Sequence, residues 1–126
     1  MRIEHVAVWT SDLEQLVAFY GRYFGALSGE KYTNQRTGFE SYFLTFADGP
    51  RLELMRSPSV KSGMDGLRFG YAHLAISVGS ESEVDRLTER LRNDGHRVVD
   101  GPRRTGDGYY ESVILDPDGN RIEITV

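Results

Sequence analysis

A chain that repeats its own phrases is constrained to fold as two copies of one plan. Here the repeated phrases surround polar residues that a hydrophobic core does not select. Glu4-His5-Val6-Ala7-Val8 returns as Ala72-His73-Leu74-Ala75-Ile76, and Asp48-Gly49-Pro50-Arg51-Leu52-Glu53-Leu54 returns as Asp118-Gly119-Asn120-Arg121-Ile122-Glu123-Ile124. Each copy therefore carries one His and one Glu, donors that a protein offers to a divalent metal.

Both copies read as βαβββ. Residues 3 to 9 alternate and are rich in Val, Ile and Trp, a strand pattern. Ser11 with Glu14 reads as a capping box, and Leu13, Leu16, Val17, Tyr20, Tyr23 and Phe24 follow at helical spacing until Gly25. Strands are expected over 27 to 33, 39 to 47 and 51 to 56, with Gly38 and Asp48-Gly49 as punctuation. The second copy predicts a strand over 71 to 78, a helix opened by a Ser80/Glu83 capping box and closed at Gly95, and strands over 96 to 100, 109 to 115 and 121 to 126. The expectation is an α+β chain forming one domain: module 1 over about residues 1–57, a weakly patterned linker over about 58–69, and module 2 over about 70–126.

Composition narrows the function classes. With 126 residues and 39% hydrophobic content the chain has enough apolar surface for a core. A net charge of −4 disfavours nucleic acid and anionic membrane as partners. The chain has no cysteine, so disulfides, thiolate metal sites and a Cys nucleophile are excluded. It shows neither a signal-peptide apolar region nor a run long enough to span a membrane, and a cytoplasmic location is expected.

Strand parity sorts the polar residues. Val6 and Val8, Leu52 and Leu54, Leu74 and Ile76, and Ile122 and Ile124 take the faces meant for the helices. His5, Glu53, His73 and Glu123 fall on the opposite faces. Each Glu also lies two residues from an Arg on its own face, so Glu53 with Arg51 and Glu123 with Arg121 have an alternative reading as surface ion pairs worth about 0 to 1 kcal/mol. Recurrence of both His and both Glu at equivalent points favours the metal site. Trp9, Phe69, Tyr71, Tyr109 and Tyr110 are candidates for the aromatic walls of a small-molecule pocket, with ordinary packing as the alternative. The stretch 103–110, with Arg103, Arg104 and three Gly or Asp positions, is a second candidate lining segment.

The opening His5-Val6-Ala7-Val8 with Phe19-Tyr20 and Phe24-Gly25, the middle Gly70-Tyr71-Ala72-His73-Leu74-Ala75 and the close Asp116-Pro117-Asp118-Gly119-Asn120-Arg121-Ile122-Glu123 carry a resemblance that covers essentially the whole chain. It resembles the vicinal oxygen chelate superfamily, which includes glyoxalase I, extradiol dioxygenases, methylmalonyl-CoA epimerase, fosfomycin-resistance enzymes and bleomycin-binding proteins. The resemblance implies tandem βαβββ modules forming a curved mixed sheet, a glyoxalase-like half-barrel with helices on its convex face. It also implies a homodimer, with metal ligands shared between chains in many small members.

The bacterial type of glyoxalase I offers the best residue match. That likeness implies metal ligands at His5, Glu53, His73 and Glu123, with Glu123 as the first choice of base and Glu53 as its symmetry-related counterpart. It further implies a lyase or isomerase acting on a thiol adduct or 2-oxo compound through a metal-stabilised enediolate, with nickel, zinc, cobalt, manganese or iron as cofactor. Where that enzyme type grips glutathione with an Arg in the first strand and an Asn past the first Glu, this chain has roughly Trp9-Thr10 and Arg56-Ser57. Extradiol dioxygenases and fosfomycin-type transferases use three-ligand sites, so Glu53 counts against both. The alternative outside catalysis is a metal-free, bleomycin-resistance-like protein that binds a small molecule.

Overall fold

The computed structural model describes residues 3–61, 71–106 and 108–126. It divides into two compact units, Met1–Asp65 and Gly66–Val126. The part of the expected linker from residue 62 onward lies outside the described residues.

The first unit contains β1 (His5–Trp9), α1 (Leu13–Phe24), β2 (Leu27–Ser28), β3 (Tyr32–Asn34), β4 (Phe39–Thr45) and β5 (Arg51–Arg56). Its sheet runs β1-β5-β4-β2, with β3 also on β4. β1 and β5 are parallel, which no tight turn can join, and α1 lies in the crossover between them. Leu13, Leu16, Phe19, Tyr20 and Tyr23 of α1 are buried, as are Leu44, Leu52 and Leu54 of the sheet, so the helix covers the aliphatic face. Gly25 ends α1 in the left-handed region at φ 66°, where a side chain would be strained.

Two local elements differ from the sequence expectation. The N-cap of α1 is Asp12, whose carboxylate accepts the Gln15 backbone N–H at 3.0 Å; Ser11 and Glu14 make no capping box. Glu14 instead receives the Tyr42 hydroxyl at 3.1 Å and the Lys31 ammonium at 3.2 Å. The single strand expected over 27 to 33 is two short strands, both antiparallel to β4. The pairing moves from Ser28↔Leu44 to Tyr32↔Ser41, one residue out of step, as at a bulge.

The second unit contains β6 (Leu74–Ser77), α2 (Glu81–Asn93), β7 (Val98–Arg104), β8 (Tyr110–Leu115) and β9 (Arg121–Thr125), in the sheet order β6-β9-β8-β7 with β6 and β9 parallel. Ser80 caps α2 by accepting the Glu83 N–H at 3.2 Å. Only half of the expected box forms, because the Glu83 carboxylate binds Arg86. Val84, Leu87 and Leu91 pack over Ile122 and Ile124, all buried, and Thr88 shares a buried hydroxyl contact of 2.6 Å with Ser112. β7 extends past its expected end, with register shifts around Gly101. A Cβ at Gly101 would lie 2.6 Å from the Glu111 carbonyl oxygen, so glycine is required for that close approach.

Each unit is thus one helix on one mixed sheet, the α+β class expected. Among the described residues no helix is long and apolar enough to cross a membrane. The cap assignment gives a direct check by urea denaturation. Asp12→Ala should lower stability by about 1 kcal/mol, within the roughly 0.5 to 2 kcal/mol range of lost N-caps, while Ser11→Ala should stay within about 0.5 kcal/mol of the parent.

Candidate functional site

Parallel pairing of the first and last strand of each unit decides which side chains meet. In the first unit Ala7 aligns with Glu53 and His5 with Arg51, so His5 and Glu53 are diagonal neighbours on the face turned away from α1. His5 Nε2 stands 3.8 Å from Glu53 Oε2. In the second unit Ala75 aligns with Glu123, the same register, and His73 Nε2 stands 3.1 Å from Glu123 Oε2. The imidazoles are 40% exposed and the carboxylates 15% and 21%, so each pair is open to a ligand from one side.

The surroundings of the two pairs differ. Phe43 on β4 lies opposite Glu53 and presents its ring edge to His5, with centroids 5.4 Å apart at 88°. The Arg51 guanidinium covers the same ring at 4.1 Å. Glu4 joins the two: its Oε2 is 2.5 Å from His5 Nδ1, and its Oε1 accepts Arg51 Nε–H at 2.8 Å. The hydrogen bond from His5, then that from Arg51, holds the Glu4 carboxyl below the ordinary carboxylate range. The repeat places Ala72 and Val113 where the first unit has Glu4 and Phe43.

The alternative reading of the glutamates as arginine ion pairs does not hold. Arg51 pairs with Glu4, and the carboxylates of Glu53 and Glu123 face histidine nitrogens. Among the described residues no three His, Asp or Glu side chains gather within reach of one ion, so each unit offers a pair of donors. The donors fit a metal. Bonds of about 2.0 to 2.2 Å place two donors of one ion roughly 3 to 3.4 Å apart. The 3.1 Å pair meets that spacing, and the 3.8 Å pair meets it after closing by roughly half an ångström.

Farther along the same face of the first sheet, Trp9 lies edge-on to Phe39 at 6.2 Å and Tyr32 approaches Phe39 at 6.1 Å. Trp9 and Tyr32 are exposed, so they are an accessible aromatic surface. Arg56 is taken by Glu40, which also binds Lys31 at 3.2 Å. In the stretch 103–110, Arg103 binds Asp100, Arg104 binds Glu81 of α2, and the Tyr110 hydroxyl donates to Asp85 of α2 at 2.7 Å. These groups are committed to contacts within their unit. Tyr71 and Tyr109 are exposed, and Phe69 and Asp107 lie outside the described residues.

The chain belongs to the Glyoxalase/Bleomycin resistance protein/Dioxygenase superfamily, whose profile matches residues 2–124. It is 27% identical to the uncharacterized protein YqjT of Bacillus subtilis, over 97% of this chain and 96% of that one. It is 28% identical to the metallothiol transferase FosB of Lysinibacillus sphaericus, over 96% of this chain and 79% of that one. The trypanothione-dependent glyoxalase I of Leishmania major shares the fold, with a TM-score of 0.79 at 23% identity, covering 99% of this chain and 86% of that structure.

The Glu40 contact at Arg56 has a pH signature. Arg56 first and Lys31 second hold Glu40 below its ordinary value, so the folded chain binds that proton less readily than the unfolded chain. The contribution to stability is present above the unfolded carboxylate range and is lost as pH falls through the folded value. Urea midpoints measured from neutral pH down to about pH 3 should therefore fall less steeply in Glu40→Gln than in the parent.

Proposed function

We propose that the chain is a divalent-metal-dependent enzyme of the glyoxalase I type, acting as a homodimer on a small-molecule thiol adduct or 2-oxo compound. The observation that carries this reading is the repetition of one His–Glu pair at one register in both units, each carboxylate within 3.8 Å of an imidazole nitrogen. His5, Glu53, His73 and Glu123 would hold nickel, zinc, cobalt, manganese or iron. A divalent ion bound there supplies Lewis acidity toward two neighbouring substrate oxygens as negative charge develops on them.

The chain's own residues do the remaining work. Glu123 accepts the carbon-bound proton as the C–H electron pair moves toward the adjacent carbonyl and returns it to the neighbouring carbon, while the hydroxyl proton of the first carbon passes to the former carbonyl oxygen, so the substrate is isomerised with no net loss of atoms. Glu53 is the equivalent base of the other module. Trp9, Phe39 and Tyr32 offer an apolar surface for the non-reacting part of the substrate. With Arg56 committed to Glu40, the thiol partner need not be glutathione.

The likeness to a metallothiol transferase supports a second reading, transfer of a thiol to a small molecule. Both readings call for a metal and a thiol, and one assay separates them. Metal-stripped chain is offered hemithioacetals of methylglyoxal with glutathione, cysteine and 2-mercaptoethanol, with each divalent metal in turn. Metal-restored isomerisation, lowered about 10²- to 10⁴-fold in Glu123→Gln, is the expected result. Thiol consumption in the presence of an electrophile, without isomerised product, would move the assignment to transfer. Absence of turnover with every metal, together with tight binding of a small molecule by metal-free chain, would support the sequestering alternative.

A further inference from the structure

Four residues of the first unit close a ring of contacts around one histidine. Glu4 meets His5 Nδ1 at 2.5 Å and Arg51 Nε at 2.8 Å. Arg51 in turn lies 4.1 Å over Phe43, and the Phe43 edge meets the His5 ring at 5.4 Å. The imidazole is thereby held at one nitrogen and along one side, while Nε2 points to Glu53. A carboxylate can only accept, so the ring nitrogen facing Glu4 carries the proton. In neutral imidazole the lone pair then lies on Nε2.

From this ring we infer that Glu4 is a positioning residue, which fixes His5 as the Nδ1–H tautomer and presents Nε2 as a ready donor. The second unit has no such device at the matching places, where Ala72 lacks a carboxylate and Val113 lacks a ring. The two histidines are therefore unequal. His5 is set before any ligand arrives, and its half of the donor set is the better prepared one. A carboxylate on the far nitrogen of a ligating His also raises its basicity, and losing such a partner typically weakens metal binding by about 10- to 100-fold. The affinity consequence rests on the proposed metal function; the tautomer does not.

The test uses the full chain and the variants Glu4→Ala and Glu4→Gln. Long-range ¹H–¹⁵N spectra of metal-free protein, at a pH where the imidazoles are neutral, report the tautomer of each histidine. The parent should show His5 protonated at Nδ1. Glu4→Ala should shift His5 toward the Nε2–H form and leave His73 unchanged, and Glu4→Gln, whose amide oxygen still accepts, should restore much of the parent pattern. Calorimetric titration with nickel or zinc should show roughly 10- to 100-fold weaker binding in Glu4→Ala, with Glu4→Gln between it and the parent. A parent His5 protonated at Nε2, a His5 spectrum indifferent to Glu4→Ala, or unchanged metal affinity would overturn the positioning role. A parent that takes up no metal would instead defeat the proposed function, and the tautomer spectra would still decide the role of Glu4.

Discussion

The arrangement depends on the parallel pairing of the first strand of each unit with the last. Such a pair cannot be closed by a hairpin, so the chain must leave the sheet, build a helix and return. That path gives each sheet one covered face. The register then does the chemical sorting: Ala7↔Glu53 in one unit and Ala75↔Glu123 in the other put a histidine beside a glutamate on the face the helix does not cover. A shift of one residue in either pairing would exchange the faces, burying the carboxylate and exposing the neighbouring leucines or isoleucines. Core packing through Leu52, Leu54, Ile122 and Ile124 therefore also holds the candidate site side chains in place.

Duplication leaves two halves with the same donors and different settings. The first unit surrounds its histidine with a carboxylate, a guanidinium and an aromatic ring, and continues along the same face into Trp9, Phe39 and Tyr32. At matching points the second unit has smaller or more polar residues, including Ala72, Ser77 and Val113. The proposed function assigns the shared donors to one kind of ligand, while the unequal neighbours give the two pairs different surroundings. This division is consistent with a family that hosts several chemistries on one fold, where specificity lies in the residues around the shared positions.

Much of this was legible in the sequence, for physical reasons. Period-two alternation separated His5, Glu53 and Glu123 from the aliphatic face, and the burial pattern of the strands follows that parity. The glycine stop at Gly25 and the Ser80 cap were readable because each meets a backbone need that few residues satisfy. Competition hid the rest. Ser11 and Asp12 are both good caps, and Glu14, which would have completed the box, is drawn away by Lys31 and Tyr42. The one-residue slip between β2 and β3 depends on β4, which a local pattern does not contain. Spacing within the strand offered Glu53 as an alternative partner for Arg51, whereas its partner is Glu4, immediately before the adjacent strand. The one hint of Glu4 was its mismatch with Ala72 in the repeat.

The central claim, as proposed, is that the His–Glu pair repeated in each unit supplies donors to a divalent metal. Its most direct test is the stoichiometry of divalent metal uptake, by elemental analysis after equilibrium dialysis, in the parent, in His5→Ala, in His73→Ala and in the double variant. Divalent metal bound by the parent, with affinity lowered in each single variant and in the double variant, is the expected result. No metal bound by the parent, or uptake unchanged in the double variant, would contradict it.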